Sequence, residues 1–594
     1  MHHANFEKRA CDYWATCLRT RLVSTDGVSA FSSMETVNRT RDMLLTELKA
    51  IQHLVTLTVA RVNDLSITAR LPAEVLTHVF SVLTECDPPS SEPLKGDRFG
   101  DKASLGWITA THVCRRWRHM ALSAPALWTN IGAPPTGPWM NEMLARSKQV
   151  PFAFSACITR DHKICDAVLK AVSADYMSRL KDLRLSGEER EWSEDIEELD
   201  PGSLGERRLG VLANLNHPAP MLESLTLDAI IKILPLHIFA RTAPRLRRFT
   251  IRECKGVHWD APYLRNLTDL QLDIAGDLSL AKLLAVLKES PLLENLRAVG
   301  RNTVSGERLP CGNVPLLSLK TLVLHSWADT SCMEFLSSLT IPSAARKDFE
   351  FKACNAEVAP RIISLATGVV ETTDTISRPT PSKMQLHHDH CLSGRSDITM
   401  RVWFEADFEV VQPRLSLRWT SSGTYPAAGH TTAEEQLLGS FDVHKLTDLS
   451  MSSEEFGYTL YDTFKNAISK MSAVRDLTLK GRGIDNFLQL LRTTPHGQIP
   501  DLDYPELYKA EAFLLPNLDK LQITGVPLSK TTPGFRYAWT PNLGESLLTM
   551  LKTRKALGNS VPILVITECD DSEGLSPELA EHVENLRCDS CSNA

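Results

Sequence analysis

The sequence predicts an α/β protein, α+β overall: a helical N-terminal part followed by an irregular repeat solenoid with a curved parallel sheet. Three observations carry this. Apolar residues follow helical spacing in the first part of the chain, Leu-x-x-Leu-x-Leu triplets recur from about residue 175, and segments between triplets read as helix and turn. The 594 residues are 43% hydrophobic and 23% charged, so most of the chain can bury a core. That length suits about four ordinary domains, or one small domain and a long array. A formal charge of −7 is mild, and excludes the basic footprint of general nucleic-acid binding.

Residues 34–66 read as one helix. Leu44, Leu48, Ile51, Val55, Val62 and Leu65 follow alternating steps of four and three, with Thr58 as the polar occupant. That is about three heptads, the minimum for a coiled coil. Two readings stand: the stripe packs on its own domain, or it pairs with a partner helix or a second copy in a homodimer.

Residues 67–131 form the next unit. Ile67, Leu71, Val75, Leu76, Val79, Phe80 and Leu83 share one helical face. Pro72 is placed in the first helical turn, where its missing N–H costs nothing, and Glu74 favours the positive end of the helix dipole. Glu85 to Lys102, rich in Pro, Ser, Gly and Asp, reads as a loop. A second helical run is expected from about Leu105 to Leu122, with Trp107, Ile108, Val113, Cys114, Trp117 and Met120 beside Arg115, Arg116 and Arg118. Pro125 ends it, and Leu127 and Trp128 follow.

These residues resemble an F-box, and the chain is similar to the F-box proteins abundant in basidiomycete fungi. The family's Leu-Pro-x-Glu-(Ile/Val)-Leu opening and following aromatic are matched by Leu71, Pro72, Glu74, Val75, Leu76 and Phe80. Its Val-Cys-(Arg/Lys)-x-Trp element is matched by Val113, Cys114, Arg115 and Trp117, and its end by Leu127 and Trp128. The 18-residue insert Glu85 to Lys102 departs from compact members. The resemblance covers about 65 residues well. It implies docking on a Skp-type adaptor, and through it a cullin, using Leu71, Pro72, Glu74, Val75, Leu76, Val79, Phe80, Val113, Cys114, Trp117, Leu127 and Trp128. The role implied is the non-catalytic substrate receptor of a ubiquitin ligase. A plain repeat scaffold, with these helices as an N-terminal cap, is the alternative.

Residues 175–594 carry the repeats. Triplets stand at Leu180/Leu183/Leu185, Leu222/Leu225/Leu227, Leu246/Phe249/Ile251 and Leu267/Leu270/Leu272, weakly at Leu293/Leu296, and at Leu319/Leu322/Leu324. They return at Leu446/Leu449/Met451, Val474/Leu477/Leu479 and Leu518/Leu521/Ile523. From residue 222 the spacings are 24, 21, 26 and 26, within the leucine-rich-repeat range. Leu278 to Leu287 reads as an intervening helix. Pro220, Pro244, Pro291, Pro315 and Pro516 precede strands. Each strand–helix unit leaves an apolar face that only a stacked neighbour covers.

Alternation then assigns the outward face. With Phe249 and Ile251 inward, Arg248, Thr250 and Arg252 point out. By the same rule so do Ser224, Thr226 and Asp228, then Asp269, Gln271 and Asp273, then Thr321, Val323 and His325. An unidentified target protein is expected to bind Arg248, Thr250, Arg252, Asp269, Gln271, Asp273, Thr321 and His325. The register is lost between about 340 and 440, read as irregular repeats with long insertions. There Thr372 to Lys383 reads as an exposed loop, while Ile398 to Glu405 and Arg414 to Trp419 alternate as strands. The acidic run Glu188 to Asp200 reads as a solvated loop.

Other chemistry is thinly supported. His387, His388, His390 and Cys391 cluster, but structural zinc prefers spaced pairs. Cys588-x-x-Cys591 has no second pair and reads as a frayed terminus. Arg241, Arg245, Arg247, Arg248, Arg252 and Lys255 form a local basic patch, read first as a solvated face and otherwise as a site for an acidic or phosphorylated partner. No G-x-S-x-G, H-E-x-x-H, Walker or G-x-G-x-x-G motif occurs. An enzyme site in the 340–440 insertion is therefore disfavoured, and no metal or cofactor is expected. Residues 1–30 lack a secretory pattern, and no window reaches the ~18 apolar residues of a membrane span. The expected setting is cytoplasmic and/or nuclear, without a membrane or nucleic-acid partner, with the 14 cysteines mostly small buried apolar residues.

Overall fold

A computed structural model describes residues 2–89, 104–132, 137–158, 162–187, 210–229, 234–254, 256–304, 313–351, 358–368, 378–390, 395–404, 412–422, 437–453, 467–481, 484–493, 513–525, 543–568 and 576–588. The chain divides into two compact units, residues 1–152 and 153–594.

The first unit opens with helix α1, His2–Leu22, which the apolar pattern had not suggested. Helix α2, Met34–Asp64, matches the expected heptad segment. Ser33 caps it, its hydroxyl accepting from the Thr36 N–H, and Glu35 and Arg61 complement the helix dipole at the two ends. None of its residues is buried. Leu48 is 50% exposed, Val55 57% and Val62 64%, so the stripe does not pack on its own domain.

A short 3-10 turn, Ile67–Arg70, leads to helix α3, Ala73–Cys86. Pro72 is the residue before the first helical position rather than within the first turn; the extended φ/ψ of a cap suits its fixed ring. The expected second helical run is two elements. Gly106–His112 is a 3-10 helix and α4 spans Arg115–Ser123. Cys114 breaks them with extended backbone and serves as the α4 cap, its sulfur 3.5 Å from the Trp117 N–H. A final 3-10 turn, Pro125–Trp128, closes the group.

The second unit is dominated by a large mixed sheet. The later residues of the triplets lie on strands Leu180–Gly187, Ser224–Asp228, Arg248–Cys254, Asp269–Ser279, Asn295–Val304 and Thr321–Trp327, paired parallel, while from Leu222 onward the first residue of each precedes its strand. Leu183, Leu225, Phe249, Leu270, Leu296 and Leu322 fall in one register row, and all are at most 1% exposed. Each such side chain contributes about 1.5–3 kcal/mol on burial. Helix Leu280–Lys288 lies between two of these strands, two residues later at its start than the periodicity suggests, because Leu278 and Ser279 extend the strand.

The sheet does not stay parallel. Arg346–Phe351 continues the ladder beside Thr321–Trp327, and its far neighbour is Leu415–Ser422. Arg395–Trp403 follows, antiparallel to both Leu415–Ser422 and Lys383–His390. Parallel pairing then resumes through Asp448–Ser453, Asp476–Gly481, Lys520–Thr524, Ile563–Thr567 and Asn585–Cys588. Helix Ala359–Thr367 follows Arg346–Phe351, and the two antiparallel pairs after it need only short connections, so the 340–440 segment joins the same sheet without a regular strand–helix unit for each strand. This accounts for the lost repeat spacing there.

Four local readings change. Ser224 is buried, not outward. Pro379, Pro381 and Ser382 are buried while Arg378 and Thr380 are exposed, so the described end of the Thr372 to Lys383 loop is only partly exposed. Cys588 closes a strand paired with Ile566 and is not frayed. Among the described cysteines Cys165, Cys254 and Cys332 are buried, whereas Cys11, Cys86 and Cys157 are exposed. The acidic run, Cys391, Cys591 and Lys255 lie outside the described residues. No described helix is long and apolar enough to cross a membrane.

Candidate functional site

Helix α3 carries two apolar stripes. Leu76 and Phe80 point inward at 1% and 0% exposure. Val75, Val79 and Val82, at i, i+4 and i+7, form the other stripe at 44%, 42% and 48% exposure. The expected single adaptor face is thus divided. Leu76, Phe80, Leu127 and Trp128 are sealed in the unit's own core, whereas Pro72, Glu74, Val75, Val79 and Val113 are exposed. Ile67 belongs to neither stripe; it lies in the separate 3-10 turn at 83% exposure. Leu71, Cys114 and Trp117 are half-buried.

The core beneath is aromatic. Phe80 meets Trp117 edge-on at 5.4 Å, and Trp107 meets Trp128 at 4.9 Å. Such pairs add about 0.5–1.5 kcal/mol beyond their area. Trp128 Nε1 donates to the Ala121 carbonyl at 2.8 Å, and Arg146 lies over the Trp128 ring. Arg116 ties the two halves of the motif together. Its guanidinium donates to the carbonyls of Thr68 (3.3 Å), Ala69 (2.7 Å) and Leu71. Sequence spacing identified Arg116 only as part of a basic group; its use as a clamp depends on three carbonyls more than 40 residues away.

The outward face of the sheet forms the second candidate surface. Arg248, Asp269 and Thr321 belong to one register row, with Asn295 between the last two. Thr250 and Gln271 belong to the next. Asp273 and His325 flank Val299. All eight expected residues are exposed or half-buried. The basic patch is not a free cationic face. Arg252 pairs with Asp228 at 3.3 Å, Arg248 with Asp182 at 3.8 Å and Arg241 with Asp260 at 3.5 Å. Asn295 donates to Asp269 at 2.7 Å. The face is therefore mixed in sign.

A compact charged group sits at the register break. His325 Nε2 lies 3.3 Å from Asp348, and Nδ1 lies 3.8 Å from Glu350, which also pairs with Arg418 at 3.4 Å. Burial opposes ionisation of Asp348. The His325 hydrogen bond and charge, with Ser416 and Arg418, outweigh it and hold the carboxyl below its ordinary value. Asp348, Glu350 and Arg418 were missed because their strands lie where the triplet pattern fails. Their only sequence signal was strand alternation.

Two buried cations serve the fold. Lys347 occupies the otherwise apolar row between Leu322 and Leu415, and its Nζ donates to the carbonyls of Pro342 and Ser343, each at 2.9 Å. Arg554, 0% exposed, donates to the carbonyls of Leu491, Leu514, Leu515 and Asn559. Burial pushes its guanidinium down to about 10.

Among the described residues no group of three His, Cys, Asp or Glu is arranged to hold a metal. His387 Nδ1 is 2.6 Å from Ser452 Oγ; the side chains of His388 and His390 lie outside the described residues.

Comparison with known proteins gives one family. The family model described as F-box-like matches residues 68–133, the segment built around α3, α4 and the three 3-10 elements. The search of curated proteins matches none to this chain.

Proposed function

We propose that this chain is the substrate-recognition subunit of a Skp–cullin–F-box ubiquitin ligase. The F-box-like segment docks on a Skp-type adaptor, and the sheet face holds a target protein. The observation that carries the reading is the second stripe of α3. Val75, Val79 and Val82 leave an apolar face uncovered on a helix whose other stripe already fills its own core. A small helical unit gains by sharing such a face with a partner's helices. The F-box-like match over the same residues supports a protein-interaction adaptor of this kind.

The chain needs no catalytic residue for this role. Holding a target near a ubiquitin-charged enzyme raises the effective concentration of its lysines. Arg248, Thr250, Arg252, Asp269, Gln271, Asp273, Thr321 and His325 offer the target alternating charge, which selects a mixed polar partner rather than a polyanion.

Capture of a purified Skp-type adaptor by the full chain tests the docking half. The wild-type chain retains the adaptor; Val75→Asp/Val79→Asp loses it with an unchanged melting temperature. Absence of capture by the wild-type chain would overturn the proposal. For the target half, Arg252→Asp with Asp228→Arg keeps the ion pair but inverts the pattern. It abolishes target capture while adaptor capture persists.

A further inference from the structure

Helix α2 leaves a long apolar seam uncovered in the first unit. Its heptad frame places Leu48, Val55 and Val62 at a positions and Leu44, Ile51 and Thr58 at d positions. The five aliphatic residues are 38–64% exposed. Neighbouring elements flank the seam without covering it. Near the N-terminal half, Arg21 pairs with Glu47 and Ser24 meets Met43, at g and c positions. Towards the C-terminal end, Thr56, Val59, Ala60 and Asn63 border a groove shared with Val113 and Arg116, at b, e and f positions. The a and d positions stay open between these two supports.

We propose that α2 pairs with α2 of a second copy of this chain, in antiparallel orientation. The flanking charges select the occupant and its direction. In an antiparallel pair each a position faces a d position. One register fills every layer: Leu44 on Val62, Leu48 on Thr58 and Ile51 on Val55, each twice by symmetry. Thr58 suits that apolar layer because its hydroxyl already donates to the Leu54 carbonyl at 3.0 Å. In this register Glu47 of one copy faces Arg61 of the other along the g flank, and Leu54 meets its own copy at the dyad. On the e flank Leu45 faces Val59. A parallel pair stacks Arg41 on Arg41 at the end of the seam, where the antiparallel register sets Arg41 beside Leu65, and it leaves Glu47 opposite the neutral Gln52, so it gains no ion pair and brings like charges together.

The seam is separate from the outward stripe of α3, so pairing and adaptor docking do not compete for the same residues. A paired receptor would carry two F-box-like segments and two target faces, raising avidity for a target with two binding segments.

Sedimentation of the full chain at micromolar concentration tests the pairing. The wild-type chain sediments at twice its 66.1 kDa mass. R61E places Glu against Glu, and E47R places Arg against Arg, so each weakens self-association by at least about tenfold. An equimolar mixture of the two variants restores the dimer, as does E47R/R61E in one chain. The melting temperature of R61E stays at the wild-type value, since Arg61 is exposed, whereas E47R also gives up the ion pair of Glu47 with Arg21 and is expected to melt lower, so R61E alone separates pairing from folding. A monomeric wild-type chain would overturn the proposal. So would a dimer that both single variants leave intact, or single variants that neither mixing nor the double substitution rescues.

Discussion

The backbone N–H of Trp107 donates to the carbonyl of Asp87 at 2.8 Å, joining the two halves of the F-box-like segment across the insert between them. Gly106 makes this approach possible. Its φ is +51°, and a Cβ there would lie 2.4 Å from the Asp87 oxygen. The base of the insert is thus fixed by backbone, whatever the sequence beyond it. Gly106→Ala is expected to lower stability by about 2–3 kcal/mol, from strain and a displaced hydrogen bond. Thermal unfolding of this variant against the wild-type chain checks the loss.

Adjacent residues on α3 should separate binding from folding. Phe80→Ala removes a 0% exposed ring that packs on Trp117, and should cost about 3–5 kcal/mol of stability. Val79→Asp changes a 42% exposed position, and should alter stability by no more than about 0.5 kcal/mol. It should instead weaken adaptor binding by about tenfold or more, read by titration calorimetry against the melting temperature.

The His325–Asp348 pair predicts an acid-side effect. The Asp348 carboxyl is held below its ordinary 3.8, so its contribution is present above that value and fades as pH falls through the lower folded value. His325→Ala removes the hydrogen bond and charge that oppose the cost of burying Asp348. Its folded value rises, and stability is lost at higher pH than in the wild-type chain. The melting temperature measured from pH 2 to pH 7 should show the acid limb displaced upward in His325→Ala, with little change in His325→Ala/Asp348→Asn relative to Asp348→Asn.

Arg554 should resist conservative exchange. Its planar fork reaches four separate carbonyls, two at 2.8 and 3.0 Å, just past the ends of helices Ile484–Leu490 and Leu543–Ala556 and in the segment before strand Lys520–Thr524. Lysine offers a point charge and cannot span them. Arg554→Lys is expected to destabilise the second unit by about 2–4 kcal/mol, visible as a lowered denaturation midpoint.

Much of this molecule was determined by the sequence alone. Alternation placed Phe249 and Ile251 inside and Arg248 and Arg252 outside, because a strand's side-chain period is fixed by the backbone. Heptad spacing delimited α2, and the ordered Leu-Pro-x-Glu and Val-Cys-Arg-x-Trp elements located the F-box-like segment. Only the tertiary structure decided which faces are covered. Periodicity put Val79 and Phe80 together on one broad apolar face; packing against Trp117 buried Phe80 and left Val79 in water. The same holds for Lys347, accepted in an apolar row because two carbonyls meet its ammonium, and for Arg252, whose charge is met by Asp228 from the preceding strand. Local periodicity says which residues share a face. Whether that face meets core, carboxylate or solvent depends on contacts distant in sequence, which no local pattern encodes.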